Sequence, residues 1–458
     1  MCASKVNSKR FSSQRKLLVA ATLPLVLAAC GSEDVFEGEP PLINNNQCSI
    51  AGQNQQLLDF MDDRYLWNDE INTNVNPDSY GSVFELLDDL VVPRDRFSFI
   101  ITEEEYQARY IDAEFFGFGF GIRDRTDLGV IEVRYVYDNS AAAQAGIRRG
   151  DVITEIEGIP METWYQRIEN GEASTVDLFG DNSDGVEREI TYRKPDGQLF
   201  TERLEKSTVE TNTVMATERL QIDDKEVGYF VFDTFINRAE VDLNNAYDAL
   251  IGVDELIIDL RYNGGGLVRV ANQLASQAAW NNVENEVFLT YQYNDNYEDQ
   301  VTFFDLGPGI ERLNLDRVYV LTTNASCSSS ELVINSLSPF VEVVTIGAPT
   351  CGKPVGQQPR DICDKVVFAI TFQTVNAEGF GNYFDGLPVT CAAEDVIVGD
   401  WGDPADPLLA EASYHIANGQ CSAAASVSSL QVEETDARVL SAPVKSNNPL
   451  LEKWRNEF

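Results

Sequence analysis

Histidine is nearly absent from this chain: His415 is the only one in 458 residues. A Ser-His-Asp hydrolase, or a metal site built on imidazoles, would have to be assembled around that one ring. Positive charge is scarce as well. There are 34 Lys and Arg against 74 Asp and Glu, a net charge of −40. Such a surface repels nucleic acid and anionic headgroups, so neither is expected as a partner. Long apolar runs are also missing. The run at residues 17–27 is interrupted by Pro24 and is too short to cross a bilayer as a helix.

What is present begins with a targeting pattern. Lys5, Lys9, Arg10, Arg15 and Lys16 precede that short apolar run, which ends Leu27-Ala-Ala-Cys30. This pattern resembles a bacterial lipoprotein signal over residues 1–29, which implies cleavage before Cys30 and a lipid on its sulfur. Gly31 follows the cysteine, and the resemblance then implies outer-membrane retention within the cell envelope, with membrane contact through the lipid alone. An ordinary secretory signal is the plainer alternative. Residues 30–48, with Pro40-Pro41 and Asn44-Asn-Asn46, read as a flexible linker. Losing residues 1–29 removes five bases and no acid, which leaves the mature chain near −45.

Two of the eight cysteines, Cys2 and Cys30, belong to this leader and its lipidation site. Cys48, Cys327, Cys351, Cys363, Cys391 and Cys421 remain, and an even number in an exported chain points to disulfides. Their spacing fits no zinc pattern. No metal and no cofactor are expected.

Periodicity divides the rest into a multidomain α+β chain. Residues 49–112 carry apolar residues at helical spacing, among them Leu57, Leu58, Met61, Phe84, Leu87 and Leu90, which predicts a small helical region. Residues 114–206 are β-rich. Residues 209–424 alternate strands and helices, which predicts βαβ units and a mainly parallel sheet. Residues 425–458 show no clear period.

In the third region three loops each follow a predicted strand. They are Asn263-Gly-Gly-Gly266, Asn324-Ala-Ser-Cys-Ser-Ser-Ser-Glu331 and Thr350-Cys-Gly-Lys-Pro-Val-Gly-Gln357. Loops after parallel strands gather at one sheet edge, where sites form. Ser328 precedes a predicted helix whose N-terminus offers free N–H groups to an oxyanion, Ser329 among them. Lys353, if held neutral by burial, can replace imidazole as the base for Ser328. Gly264, Gly265 and Gly266 let backbone amides approach a carbonyl oxygen. Taken singly, these are a turn with an N-cap, a surface lysine and a tight connection. Their shared edge favours a site.

The segment Ser140-Ala-Ala-Ala-Gln-Ala-Gly-Ile-Arg-Arg-Gly-Asp-Val-Ile153 resembles a PDZ domain. Upstream, Gly117, Phe118, Gly119, Phe120 and Gly121 are similar to the PDZ loop whose amides hold a peptide's terminal carboxylate. The third region resembles the C-terminal processing, or tail-specific, proteases. Their Ser-Ala-Ser-Ala-Ser-Glu-like run falls on Ser326-Cys-Ser-Ser-Ser-Glu331, and their lysine on Lys353, 25 residues after Ser328. Their lysine-orienting glutamine falls on Gln357, and Asp259-Leu-Arg-Tyr-Asn-Gly-Gly-Gly266 is similar to their oxyanion loop. The resemblance implies a crotonase- or tricorn-like core and a serine endopeptidase in which Ser328 is nucleophile and Lys353 general base. It also implies protein or peptide substrates with exposed C-termini, whose tail the PDZ domain recognises. Cys327, Cys351 and Pro354 depart from the family pattern. A non-catalytic lipoprotein binding tails or apolar ligands on the same fold is the alternative. The sequence names no adaptor and no oligomeric state.

If Ser328 and Lys353 meet, Cys327 and Cys351 are close enough to bridge. Cys363 and Cys391 flank the apolar run at residues 366–372 and are expected to form a second bridge, leaving Cys48 to pair with Cys421.

Overall fold

The computed structural model describes residues 47–107, 114–181, 183–423 and 425. The leader, Cys30, most of the linker and the tail beyond residue 425 lie outside these.

A six-stranded sheet organises the largest part. Its strands run in chain order: Val214–Ile222, Lys225–Phe232, Glu255–Asp259, Arg317–Thr322, Glu342–Gly347 and Cys391–Ala392. The first pair is an antiparallel hairpin, and the later neighbours are all parallel. The inner strands are apolar on both faces because both faces are covered. Phe230, Ile258, Val318 and Val320 pack with helices Ala239–Ala249, Val268–Val283 and Ser329–Leu337. Tyr229, Ile257, Tyr319 and Leu321 face the other way, against helix Pro407–Asn418. The expected βαβ order is therefore present, and the loops after three parallel strands share one edge.

A second, four-stranded sheet was not legible in the sequence. Its order is Gln300–Phe303, Val287–Gln292, Ile370–Val375 and Val355–Gln357. The apolar run at 366–372, expected as one strand, is two. Lys365–Phe368 pairs with Phe99–Thr102 and Arg360–Ile362, whereas Ile370–Val375 joins the four-stranded sheet.

The N-terminal region is helical as expected, with Ile50–Arg64 and Val83–Leu90. Ser49 and Ser82 cap them, accepting from Gly52 N and Glu85 N. These helices do not form an isolated bundle. Leu57, Met61, Leu86 and Leu90 share one core with Val355, Ile362, Val367 and Ile370. The β-rich region holds a six-stranded antiparallel sheet with Phe120–Arg125 as one edge strand and helix Met161–Glu169 packed on it.

Three disulfides lie among the described residues. Cys327–Cys351 is present as expected, with Cα atoms 5.1 Å apart. The other two pairings are corrected. Cys48 bonds Cys363 and Cys391 bonds Cys421, with Cα separations of 5.7 and 5.5 Å. The reason is geometric. Cys363 sits in the tight turn between Arg360–Ile362 and Lys365–Phe368, against the start of the first helix. Cys391 lies at the far edge of the other sheet, beside the end of helix Pro407–Asn418. Cα atoms more than about 7 Å apart cannot be bridged.

Candidate active site

The three glycine- and serine-rich loops meet through backbone and hydroxyl bonds. Ser326 Oγ donates to Leu260 O at 2.8 Å and Ser330 Oγ to Asn263 O at 2.9 Å. Ser329 Oγ donates to Gly266 O at 2.7 Å, and Cys327 N to Asn263 O at 3.1 Å. The lysine loop is tied in by Cys351 N donating to Ser326 O at 3.1 Å.

These bonds distinguish the serines. Ser326, Ser329 and Ser330 are buried, each with its hydroxyl committed to a backbone carbonyl. Ser328 remains partly accessible, and its hydroxyl donates to no residue among those described. Its backbone is in a left-handed conformation, φ 55° and ψ −112°. For a non-glycine residue that stores about 1–3 kcal/mol, which the surrounding bonds must offset. The conformation sets Ser328 at the N-cap of helix Ser329–Leu337, where the first N–H groups have no partner within the helix. Gly265, at φ 107°, comes so near that a Cβ there would lie 2.7 Å from Ser328 Cβ. Of the three glycines, Gly265 has its N–H taken, donating to Asn263 Oδ1 at 2.8 Å.

Glu331 joins the serine and lysine loops, a task that sequence reasoning did not assign to it. It is fully buried, yet its carboxylate accepts from Ser328 N at 2.9 Å, Lys353 N and Gly352 N at 2.8 Å, and Thr350 Oγ1 at 2.6 Å. Burial pushes its pKa up, and these donors pull it back. The signal was available: Glu three residues after an N-cap serine is a familiar capping spacing.

Lys353 Nζ donates to Gln357 Oε1 at 3.0 Å. Gln357 Nε2 in turn donates to Phe97 O at 2.8 Å, so the amide is held from both ends. Part of the lysine stem stays accessible, but the amine is desolvated. That burial lowers its pKa to about 8, against the opposing pull of Asp95 and Glu331. No hydrogen bond links Ser328 Oγ to Lys353 Nζ. The Cys327–Cys351 bridge and Glu331 hold their loops together.

His415 takes no part. Its Nδ1 lies 3.1 Å from Tyr319 OH, on the sheet face opposite helix Ser329–Leu337. Its pKa is lowered by burial first and then by Arg317.

At the glycine–phenylalanine loop, Gly117 ends strand Glu114–Gly117 and Phe120 and Gly121 open the edge strand. Phe118 O accepts from Ala142 N and Gly119 O from Tyr137 N, both at 2.9 Å. In a planar trans peptide the N–H points opposite the carbonyl. The N–H groups of Gly119 and Phe120 therefore point away from residues 137–142. Gly119 has φ 84°, and a Cβ there would lie 2.0 Å from Ser140 Cβ.

Comparison with known proteins bears on the family and the fold. Peptidase family S41 matches residues 226–389, the peptidase S41 N-terminal domain matches 52–99, and the PDZ domain family matches 132–170. The carboxyl-terminal-processing protease of Picosynechococcus sp. is 24% identical over 307 residues, covering 64% of this chain and 67% of that protein. Carboxyl-terminal-processing peptidase 3, chloroplastic, of Arabidopsis thaliana is 26% identical over 307 residues, covering 64% of this chain and 56% of that one. A crystal structure of a putative S41 protease from Bacteroides fragilis shares the fold, with TM-score 0.63 and 24% identity, covering 80% of this chain and 97% of that one.

Unreduced peptide mapping should recover Cys48–Cys363, Cys327–Cys351 and Cys391–Cys421 as linked pairs. Recovery of Cys327 and Cys351 as alkylatable thiols in protein exported to an oxidising compartment would contradict the bridged site.

Proposed function

This chain belongs to peptidase family S41, and on that premise we propose that it is an exported serine endopeptidase cleaving proteins near their C-terminal tails. The observation carrying this reading is the distinction among the serines. Of the four serines, Ser328 alone is partly accessible with a hydroxyl proton donated to no described residue, at a helix N-terminus and on a loop cross-linked to that of a desolvated lysine.

Lys353, neutral, takes the proton of Ser328 Oγ as that oxygen attacks the scissile carbonyl. The carbonyl oxygen becomes an oxyanion, held by Ser329 N–H and by Gly264 or Gly266 N–H. Lys353, now an ammonium, returns the proton to the departing amine, leaving an acyl group on Ser328. Water then attacks, with Lys353 again as base. Gln357 fixes the amine throughout. The fold is shared with relatives, whereas the site residues are argued from the contacts above.

In the PDZ-like region, Gly119 and Phe120 N–H groups are the candidate holders of a terminal carboxylate, with Gly117, Phe118 and Gly121 shaping the loop. The peptide would extend the sheet at edge strand Phe120–Arg125 beside helix Met161–Glu169. We place the chain in a bacterial cell envelope, anchored through a lipid on Cys30, which mass spectrometry of the mature N-terminus tests.

Tail recognition predicts that a peptide ending in a free apolar carboxylate binds the full-length Ser328→Ala protein at least about tenfold more tightly than its C-terminal amide, because the charge is lost. Calorimetry giving equal affinities would remove the tail-recognition claim. Proteolysis itself is read by mass spectrometry of periplasmic proteins incubated with the native and Ser328→Ala chains.

A further inference from the structure

The N-terminal region does more than pack against the core. Between helix Val83–Leu90 and strand Phe99–Thr102 the chain passes through Arg94-Asp-Arg-Phe-Ser98. Phe97 O is the acceptor that holds Gln357, and the Phe97 ring centroid lies 5.3 Å from Lys353 Nζ. Arg96 Nη2 donates to Cys351 O at 2.9 Å and to Phe384 O at 3.1 Å. It thus grips the backbone two residues before the lysine. Asp95 Oδ1 accepts from Phe97 N and Ser98 N, both at 2.9 Å, and its Oδ2 accepts from buried Tyr65 OH at 2.8 Å.

We propose that residues 95–97 form the fourth wall of the catalytic centre, with Asp95 and Arg96 as positioning residues that act through Lys353 and Gln357. The inference rests on the Ser328–Lys353 reading. Asp95 fixes the turn that presents the Phe97 carbonyl and ring. The carboxylates whose charge reaches the amine are Asp95, from this segment, and Glu331, from the serine helix. Each favours the ammonium over the neutral amine. Asp95 therefore opposes the desolvation that readies the base, and its charge raises the pH at which the base is ready. Arg96 acts differently: it holds the carbonyl side of residues 351–352, so that Lys353 leaves its loop in one direction.

The test uses the full-length protein and a fluorophosphonate probe, whose phosphorus accepts Ser328 Oγ as fluoride leaves. Labelling rate is followed from pH 6 to pH 10. Asp95→Asn is expected to move the midpoint of the rise down by about one unit. At pH 7 its rate, relative to its own plateau, then rises several-fold. A purely structural role would scale the curve without moving it. Arg96→Ala, at an exposed side chain, should lower the maximal labelling rate about tenfold at unchanged half-saturating probe concentration, and Arg96→Lys should restore part of it. If Asp95→Asn does not fold, Arg96→Ala decides alone. An unmoved midpoint in folded Asp95→Asn protein overturns the role of Asp95, and a maximal rate within twofold of the parent overturns that of Arg96. Labelling that survives Ser328→Ala removes the underlying reading and this inference together; labelling lost in Ser328→Ala with both profiles unchanged removes only this inference.

Discussion

Ser328→Ala should leave the fold intact and lower turnover on the order of a thousandfold or more, as removal of a nucleophile does. The hydroxyl donates to no described residue, and its one structural contact is as the N-cap acceptor of Glu331 N, whose loss costs about 1 kcal/mol. Ser326→Ala, Ser329→Ala and Ser330→Ala should behave oppositely. Each removes one hydrogen bond that ties the loops together, while Leu260 O keeps Asn263 N and Asn263 O keeps Cys327 N as donors, so the cost is about 0.5–1.5 kcal/mol. Melting temperatures and hydrolysis of fluorescein-labelled casein separate the two patterns. Full activity in Ser328→Ala, or inactivity confined to one of the others, would place the nucleophile elsewhere.

The second large effect concerns Lys353. With its pKa at about 8 rather than 10.5, roughly one molecule in ten carries the neutral base at pH 7, against about one in three thousand for an ordinary lysine. Activity should therefore rise through about pH 8, and Lys353→Arg should be inactive, because guanidinium stays charged. The same shift has a stability consequence. The folded-state pKa is depressed below the unfolded value, so below about pH 8 folding carries the full cost of a desolvated ammonium. That cost fades as pH rises from about 8 toward 10.5, where the unfolded lysine also loses its proton. Its size is at most about 3 kcal/mol at pH 7 and is reduced by the exposed part of the stem. Lys353→Met should thus be inactive yet raise the melting temperature at pH 7, with the gain shrinking at pH 10. A destabilised Lys353→Met, or a pH–rate profile flat through pH 8, would contradict a desolvated base.

The three loops were legible because each carries its chemistry in a local pattern placed after a predicted strand. Ser328, Lys353 and the glycines around Gly265 lie in those loops, and Gln357 ends the short strand of the second sheet that follows the lysine. Other elements depend on distances that no local pattern encodes. Cys363 pairs with Cys48 across 315 residues, and nothing in its spacing favours that partner over Cys391. The run at 366–372 is apolar at every position but Thr371 and buried at every one, so its change of sheet at Ala369 leaves no periodic trace. Asp95, Arg96 and Phe97 follow a proline and read as a turn, and their work is done by a carbonyl and by contacts more than 250 residues away. Glu331 was visible as a cap but not as the link between two loops, because the second loop's donors are backbone N–H groups that any residues would supply.

The most direct test of the central claim is the position of a covalent adduct. The full-length protein is labelled with a fluorophosphonate at pH 9, digested and sequenced by tandem mass spectrometry. The account predicts one modified residue in the segment 324–331, Ser328, with labelling abolished by Lys353→Arg at the same pH. An adduct on Ser326, Ser329 or Ser330, or equal labelling in Lys353→Arg, would contradict a Ser328–Lys353 centre.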